Sequence, residues 1–180
     1  MAGMSGPPPL SRTALHVVVM GVAGCGKSVV GAELAHRLGL PLVEGDDFHP
    51  PANIAKMREG IPLSDADRAG WLQRLADELR ARPAGAVLTC SALKRAYRDT
   101  LRTGAPALCF VHLSLTPHQA LERVAARTDH FYPPSLVASQ FEALEDPQGE
   151  PRVRSLDATQ HVDRLVDQAL AWLQGSFNNA

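Results

Sequence analysis

Cysteine is scarce in this chain. Cys25, Cys90 and Cys109 are the only three in 180 residues, far apart and odd in number. That excludes a disulfide scaffold, and no spacing among them suits a zinc site. Reduced thiols in a cytoplasmic protein are the expectation. Excess charge is missing too, since 18 basic and 19 acidic residues leave a net charge of −1. No long-range field therefore favours nucleic acid or an anionic membrane as a partner. No apolar run approaches the roughly 18 residues that span a bilayer. The first residues, Met1 to Ala14, lack a basic start followed by an apolar run and so do not read as a secretory signal. They read as a disordered leader, and Ser176 to Ala180 as a flexible tail.

What remains is ordinary globular material, 45% hydrophobic and 21% charged. Its length suits one domain over residues 15–175. Leu15 to Met20 is a β-branched, nearly continuous apolar run, as expected of a strand buried on both faces. Further strands are expected at 42–43, 86–90, 107–113 and, weakly, 153–156. Helices are expected at 27–38, 51–59, 92–102, 117–127, 135–144 and 161–173. Another helix should follow Ser64, an N-cap that Asp67 answers. Residues 128–134 break the pattern. Strands alternating with helices predict a parallel sheet between helical layers, an α/β/α sandwich. Right-handed crossovers then gather the loops after the strands on one edge, where ligands bind.

The first of those loops carries the strongest signal. Gly21-Val-Ala-Gly-Cys-Gly26-Lys27-Ser28 matches G-x-x-x-x-G-K-[ST] between a strand and a helix. Its glycines let backbone N–H groups converge on an anion, and the helix adds its positive end. Lys27 would meet the β- and γ-phosphates of ATP, and Ser28 its Mg²⁺. Gly21, Val22, Ala23, Gly24, Cys25, Gly26, Lys27 and Ser28, with Val29 after them, form the expected nucleotide-binding set. Cys25 is a small filler with no chemistry assigned.

The second strand closes on Asp46-Asp47, with His49 just beyond. Asp46 would face the γ-phosphate and accept the proton of an acceptor hydroxyl. The alternative is a solvated turn or a helix cap, and for Asp47 capping or a metal-shell role. Basic residues recur at Arg68, at Lys94 and Arg98, and at Arg123 and Arg127, one turn apart before the break. Arginines entering such a break suit a lid that closes over the triphosphate. Each alone reads equally as a surface cation. His16, His36, His112, His118 and His161 have no motif around them and read as packing residues.

Together the motifs resemble the gluconokinases, P-loop kinases that phosphorylate D-gluconate with ATP. The resemblance is carried by Met20 to Ser28, Gly45-Asp-Asp-Phe-His-Pro50, Asn53, Lys56-Met57 and Gly60 to Arg68. It continues through Trp71-Leu72, Cys90 to Lys94, Tyr97-Arg-Asp99, His130-Phe131 and Ser139 to Glu145. It implies a P-loop fold like that of the nucleoside-monophosphate and shikimate kinases, with a five-stranded parallel sheet and a mobile lid over about 124–145. It implies 6-phosphogluconate as product, ATP and Mg²⁺ as cofactors, and a possible homodimer. It supports Asp46 as acceptor-side carboxylate and Arg127 as lid arginine. His49, Arg68, Lys94, Arg98, His130 and Gln140 become candidates to hold the sugar acid or the phosphates. A kinase of another small hydroxyl acceptor and a nucleotide-binding module without transfer are the rival readings.

Overall fold

The computed structural model describes residues 14–127 and 132–178. Its five strands are β1 (Leu15–Met20), β2 (Leu42–Glu44), β3 (Gly85–Thr89), β4 (Cys109–Ser114) and β5 (Val153–Asp157). They form one sheet in the order β2-β3-β1-β4-β5. Every neighbouring pair is parallel, as the alternating sequence pattern requires. The central strand is the most apolar: Val17, Val18, Val19 and Met20 are fully buried. β3 and β4 flank it, so the chain leaves β1 toward one edge and returns to its other side. That reversal opens a crevice at the carboxyl end of β1, directly where the glycine loop begins.

Among the described residues there are seven helices: α1 (Lys27–Leu38), α2 (Pro51–Arg58), α3 (Asp65–Arg80), α4 (Arg95–Arg102), α5 (Pro117–Ala126), α6 (Val137–Ala143) and α7 (Val162–Asn178). α3 starts on the capping box expected of Ser64 and Asp67, with Asp67 N–H donating to Ser64 Oγ at 3.1 Å and Ser64 N–H to Asp67 Oδ2 at 2.9 Å. Thr116 and Gln119 make the same reciprocal pair at the start of α5. α3 then buries Trp71, Leu72, Leu75, Ala76 and Leu79 against the sheet.

Beyond shifts of a residue or two, three elements differ from the sequence expectation. α4 begins at Arg95 rather than Ala92, because Ala92 has φ 47°, which no right-handed helix accommodates. The helix expected from Ser135 is a single 3-10 turn, Pro134–Leu136, followed by α6. α7 continues through Asn178, so the first residues assigned to a flexible tail are helical.

A buried ion pair ties the edge of the fold together. Arg98 is 0% exposed, and its Nη2 donates to Glu150 Oε2 at 2.6 Å. Its Nη1 donates to the carbonyls of Ala92 and Leu93, and Nη2 also to that of Glu145. One guanidinium thus clasps α4, the loop before it and the chain after α6. Removing its carboxylate strands a desolvated charge. Glu150→Leu is therefore expected to cost about 3–5 kcal/mol and lower Tm by roughly 6–20 °C. A thermal melt within about 2 °C of native would contradict this.

Candidate functional site

β1 delivers the chain into a loop that its neighbours leave little room for. A Cβ on Gly21 would lie 2.7 Å from both Leu113 O and Cys25 Sγ. Gly24 and Gly26 take φ 84° and 94°, the left-handed turns that curl the loop onto the start of α1. Val22 and Cys25 are turned into the core, so they contribute backbone only. Lys27 Nζ donates to the carbonyls of Gly21 at 3.0 Å and Val22 at 3.1 Å, its charge resting inside its own loop. The Ala23 N–H donates to Gln140 Oε1 at 2.7 Å, an α6 side chain docked on the cradle.

The second strand brings carboxylates to the same edge. Glu44 ends β2, and its Oε2 accepts from Thr89 Oγ at 2.6 Å and Ser28 Oγ at 3.2 Å. A 3-10 turn, Gly45–Phe48, then carries Asp46. Gly45 presses against β3 so closely that a Cβ would sit 2.2 Å from Thr89 O. Its N–H donates to Thr89 Oγ, and its carbonyl accepts from Trp71 Nε1 at 2.8 Å. The turn is held from both sides. His49 stacks on Trp71 with ring centroids 3.9 Å apart, and its Nε2 lies 3.7 Å from Asp46 Oδ1. Burial pulls the His49 pKa down, Arg68 adds to that, and Asp46 opposes it.

Both halves open into one cavity. Ala23, Gly24, Gly26, Lys27 and Ser28 line the phosphate end, and Asp46, His49, Arg68 and Trp71 line the other. Arg127 and Tyr132 from the segment between α5 and α6, and Ser139 and Gln140 from α6, close it, with Met57, Leu63 and Leu136 supplying apolar wall. Of the residues singled out in the sequence, Lys27, Ser28, Asp46, His49, Arg68, Arg127 and Gln140 line this one cavity.

Other candidates do not join them. Lys94 is the residue before α4, its Nζ bound to Asp65 at 2.9 Å. Arg98 is the buried clasp described above, and cannot reach a sugar acid without abandoning Glu150. Arg123 donates to the carbonyls of Ala158 and Gly24, while Arg127 is the extended residue just past the end of α5, so the two part company. Val29 is 57% exposed and outside the cavity. His130 lies outside the described residues.

Sequence reasoning also missed residues: Glu44, Trp71 and Tyr132. Glu44 held a detectable signal, a carboxylate two positions before Asp46 at a strand end. Cys90 sits beside this edge, but burial pushes its thiol up to about 12, so it brings no thiolate. Among the described residues no group of three or more His, Cys, Asp or Glu forms a metal cage. Ser28 Oγ beside Glu44 Oε2 is instead a pair of hard oxygens, suited to an ion that keeps waters and phosphate oxygens as its other ligands.

A cradle for phosphates at the hub of a parallel sheet, facing a carboxylate fixed on the next strand, defines a P-loop phosphotransferase. Residues 17–151 match the family model for an AAA domain. The chain is 44% identical over 161 residues to a gluconokinase of Gluconobacter oxydans, spanning 88% of this chain and 90% of that one. It is 41% identical over 155 residues to the thermosensitive gluconokinase of Escherichia coli, spanning 84% and 83%. A crystal structure of a gluconokinase from Sinorhizobium meliloti superposes with TM-score 0.85 at 48% identity, covering 93% of this chain and 96% of that one. The APS kinase of Mycobacterium tuberculosis shares the fold alone, at 18% identity and TM-score 0.66. The chain belongs to the gluconokinase family.

Proposed function

We propose that this enzyme transfers the γ-phosphoryl group of ATP to D-gluconate, giving 6-phospho-D-gluconate and ADP. The observation that carries the reading is the shared cavity, with Lys27 and Ser28 at one end and Asp46 and Arg68 at the other. When the triphosphate enters, Lys27 exchanges the carbonyls of Gly21 and Val22 for β- and γ-oxygens. Asp46 accepts the proton of the substrate hydroxyl as its oxygen bonds to the γ-phosphorus and the bond to ADP breaks. Arg127 neutralises charge spreading over the transferred group. Ser28 and Glu44 would hold Mg²⁺, which supplies charge neutralisation at the phosphates when bound.

Gluconate also needs a cation for its carboxylate. Lys94 and Arg98 are bound elsewhere, and Lys27 and Arg127 belong with the phosphates. Arg68 of α3 remains, held by Tyr97 of α4, whose hydroxyl accepts from Arg68 Nη1 at 3.0 Å. Losing a charge-assisted bond costs about 1.5–3 kcal/mol, so Arg68→Gln is expected to raise the gluconate KM roughly 10- to 100-fold. The KM for ATP should stay within a factor of about three. An unchanged gluconate KM would take the carboxylate away from Arg68.

The acceptor is tested by ADP release with ATP·Mg²⁺ over sugar acids, shikimate and nucleosides. Gluconate should give the fastest release. Release no faster than with water, alongside turnover of another acceptor, would overturn the assignment. Family resemblance also supports a homodimer, to be checked by sedimentation. Three buried, unpaired thiols agree with a cytoplasmic setting. No helix among the described residues is long and apolar enough to cross a membrane.

A further inference from the structure

We propose that His49 is a positioning residue for Asp46, locked by Asn53 as the neutral tautomer that carries its proton on Nε2. The inference rests on the reading of Asp46 as the acceptor-side base, and adds the device that aims it.

Asn53 is only 3% exposed. Its Nδ2 lies 2.9 Å from the carbonyl oxygen of Asp67. A carbonyl only accepts, so this end of the amide must be the NH₂ group, whose side-chain orientation is thereby settled. The same Nδ2 lies 3.3 Å from His49 Nδ1. One of its two hydrogens serves Asp67 and the other points at the imidazole. Nδ1 must then be the acceptor, without a proton, and in a neutral ring the proton sits on Nε2. Nε2 is the atom 3.7 Å from Asp46 Oδ1.

The ring has little freedom to do otherwise. Trp71 stacks on it, and Trp71 is pinned through Nε1 to Gly45, the residue before Asp46. The charged groups facing the ring are Asp46 from its own turn and Arg68 from α3. Burial disfavours the imidazolium, and a second proton on Nδ1 would face the Asn53 donor. A neutral N–H therefore points at a carboxylate that is otherwise largely open to the cavity, with 66% of its side chain exposed. At 3.7 Å the contact is longer than a hydrogen bond, as is common before substrate closes a site. Shortening it orients one Asp46 oxygen and leaves the other free to accept the proton of the hydroxyl. His49 itself exchanges no proton in this scheme.

The first test is the imidazole ¹⁵N spectrum of the intact protein, which reads the tautomer without any substrate. Nε2 is expected to be the protonated nitrogen and Nδ1 the bare one from about pH 6 to 8. The opposite pattern overturns the proposal. The second test is kinetic, with two variants. His49→Phe keeps the stack on Trp71 and removes the donor. It should lower kcat roughly 10- to 100-fold while leaving both KM values within about threefold. His49→Gln returns an N–H near the Nε2 position and should recover most of the loss. A kcat for His49→Phe within about twofold of native, or equal losses in both variants, overturns the positioning role. Native enzyme inert toward gluconate would instead overturn the acceptor assignment, and the imidazole spectrum would then decide the tautomer alone.

Discussion

Asp46→Asn is expected to lower kcat by about 10²- to 10⁴-fold, the usual worth of a general base, while ATP binds as before. The substitution is nearly isosteric, and the carboxylate is 66% exposed. The turn that carries it is fixed by backbone atoms of Gly45, through Thr89 and Trp71. The side chain lines the cavity, and among the described residues the group within ion-pair reach of it is the imidazole of His49. What changes is the capacity to take a proton, since an amide oxygen accepts a hydrogen bond but holds no proton at neutral pH. Stopped-flow turnover with calorimetric ATP titration separates the two effects. Native-like turnover would remove Asp46 from the chemistry, and lost ATP affinity would assign it to the nucleotide.

Lys27→Met should be as damaging, by a different route. It is expected to lower turnover by about 10³-fold or more and to weaken ATP binding as well. The ammonium sits inside the cradle and braces the loop through Gly21 O and Val22 O. Met fills similar volume but satisfies neither carbonyl and offers the phosphates nothing. Lys27→Arg should not rescue, because a planar fork cannot occupy a pocket shaped for a compact ammonium. Calorimetry and steady-state kinetics check both. ATP affinity and turnover near native in Lys27→Met would mean that the cradle works through backbone amides alone.

These expectations draw unequally on sequence and structure. The cradle was legible because its residues act at fixed, local spacing: the glycines, Lys27 and Ser28 need no distant partner to reveal themselves. Ser64 and Asp67 were legible for the same reason, and the five parallel strands followed from apolar runs separated by helical periods. Arg98 was not. Its charge type suggested a phosphate-facing helix start, but its carboxylate is Glu150, 52 residues away, and nothing local says that the side chain turns inward. Arg123 and Arg127 looked like a pair on one helix face until α5 ended at Ala126 and rotated the second away. Trp71 is buried in the core, yet its indole N–H also fixes the turn that carries Asp46, across 26 residues. Site residues whose role depends on a long-range partner were the ones that sequence could not place.

The central claim is that the cavity joins the phosphate held by Lys27 to a hydroxyl of gluconate. The most direct measurement is the ³¹P spectrum of enzyme, ATP·Mg²⁺ and gluconate followed in time. The γ-phosphate resonance of ATP is expected to be replaced, mole for mole, by a phosphomonoester split into a triplet by the protons of a terminal CH₂. Free inorganic phosphate in place of that ester, or an ester split into a doublet by a secondary carbon, would contradict it.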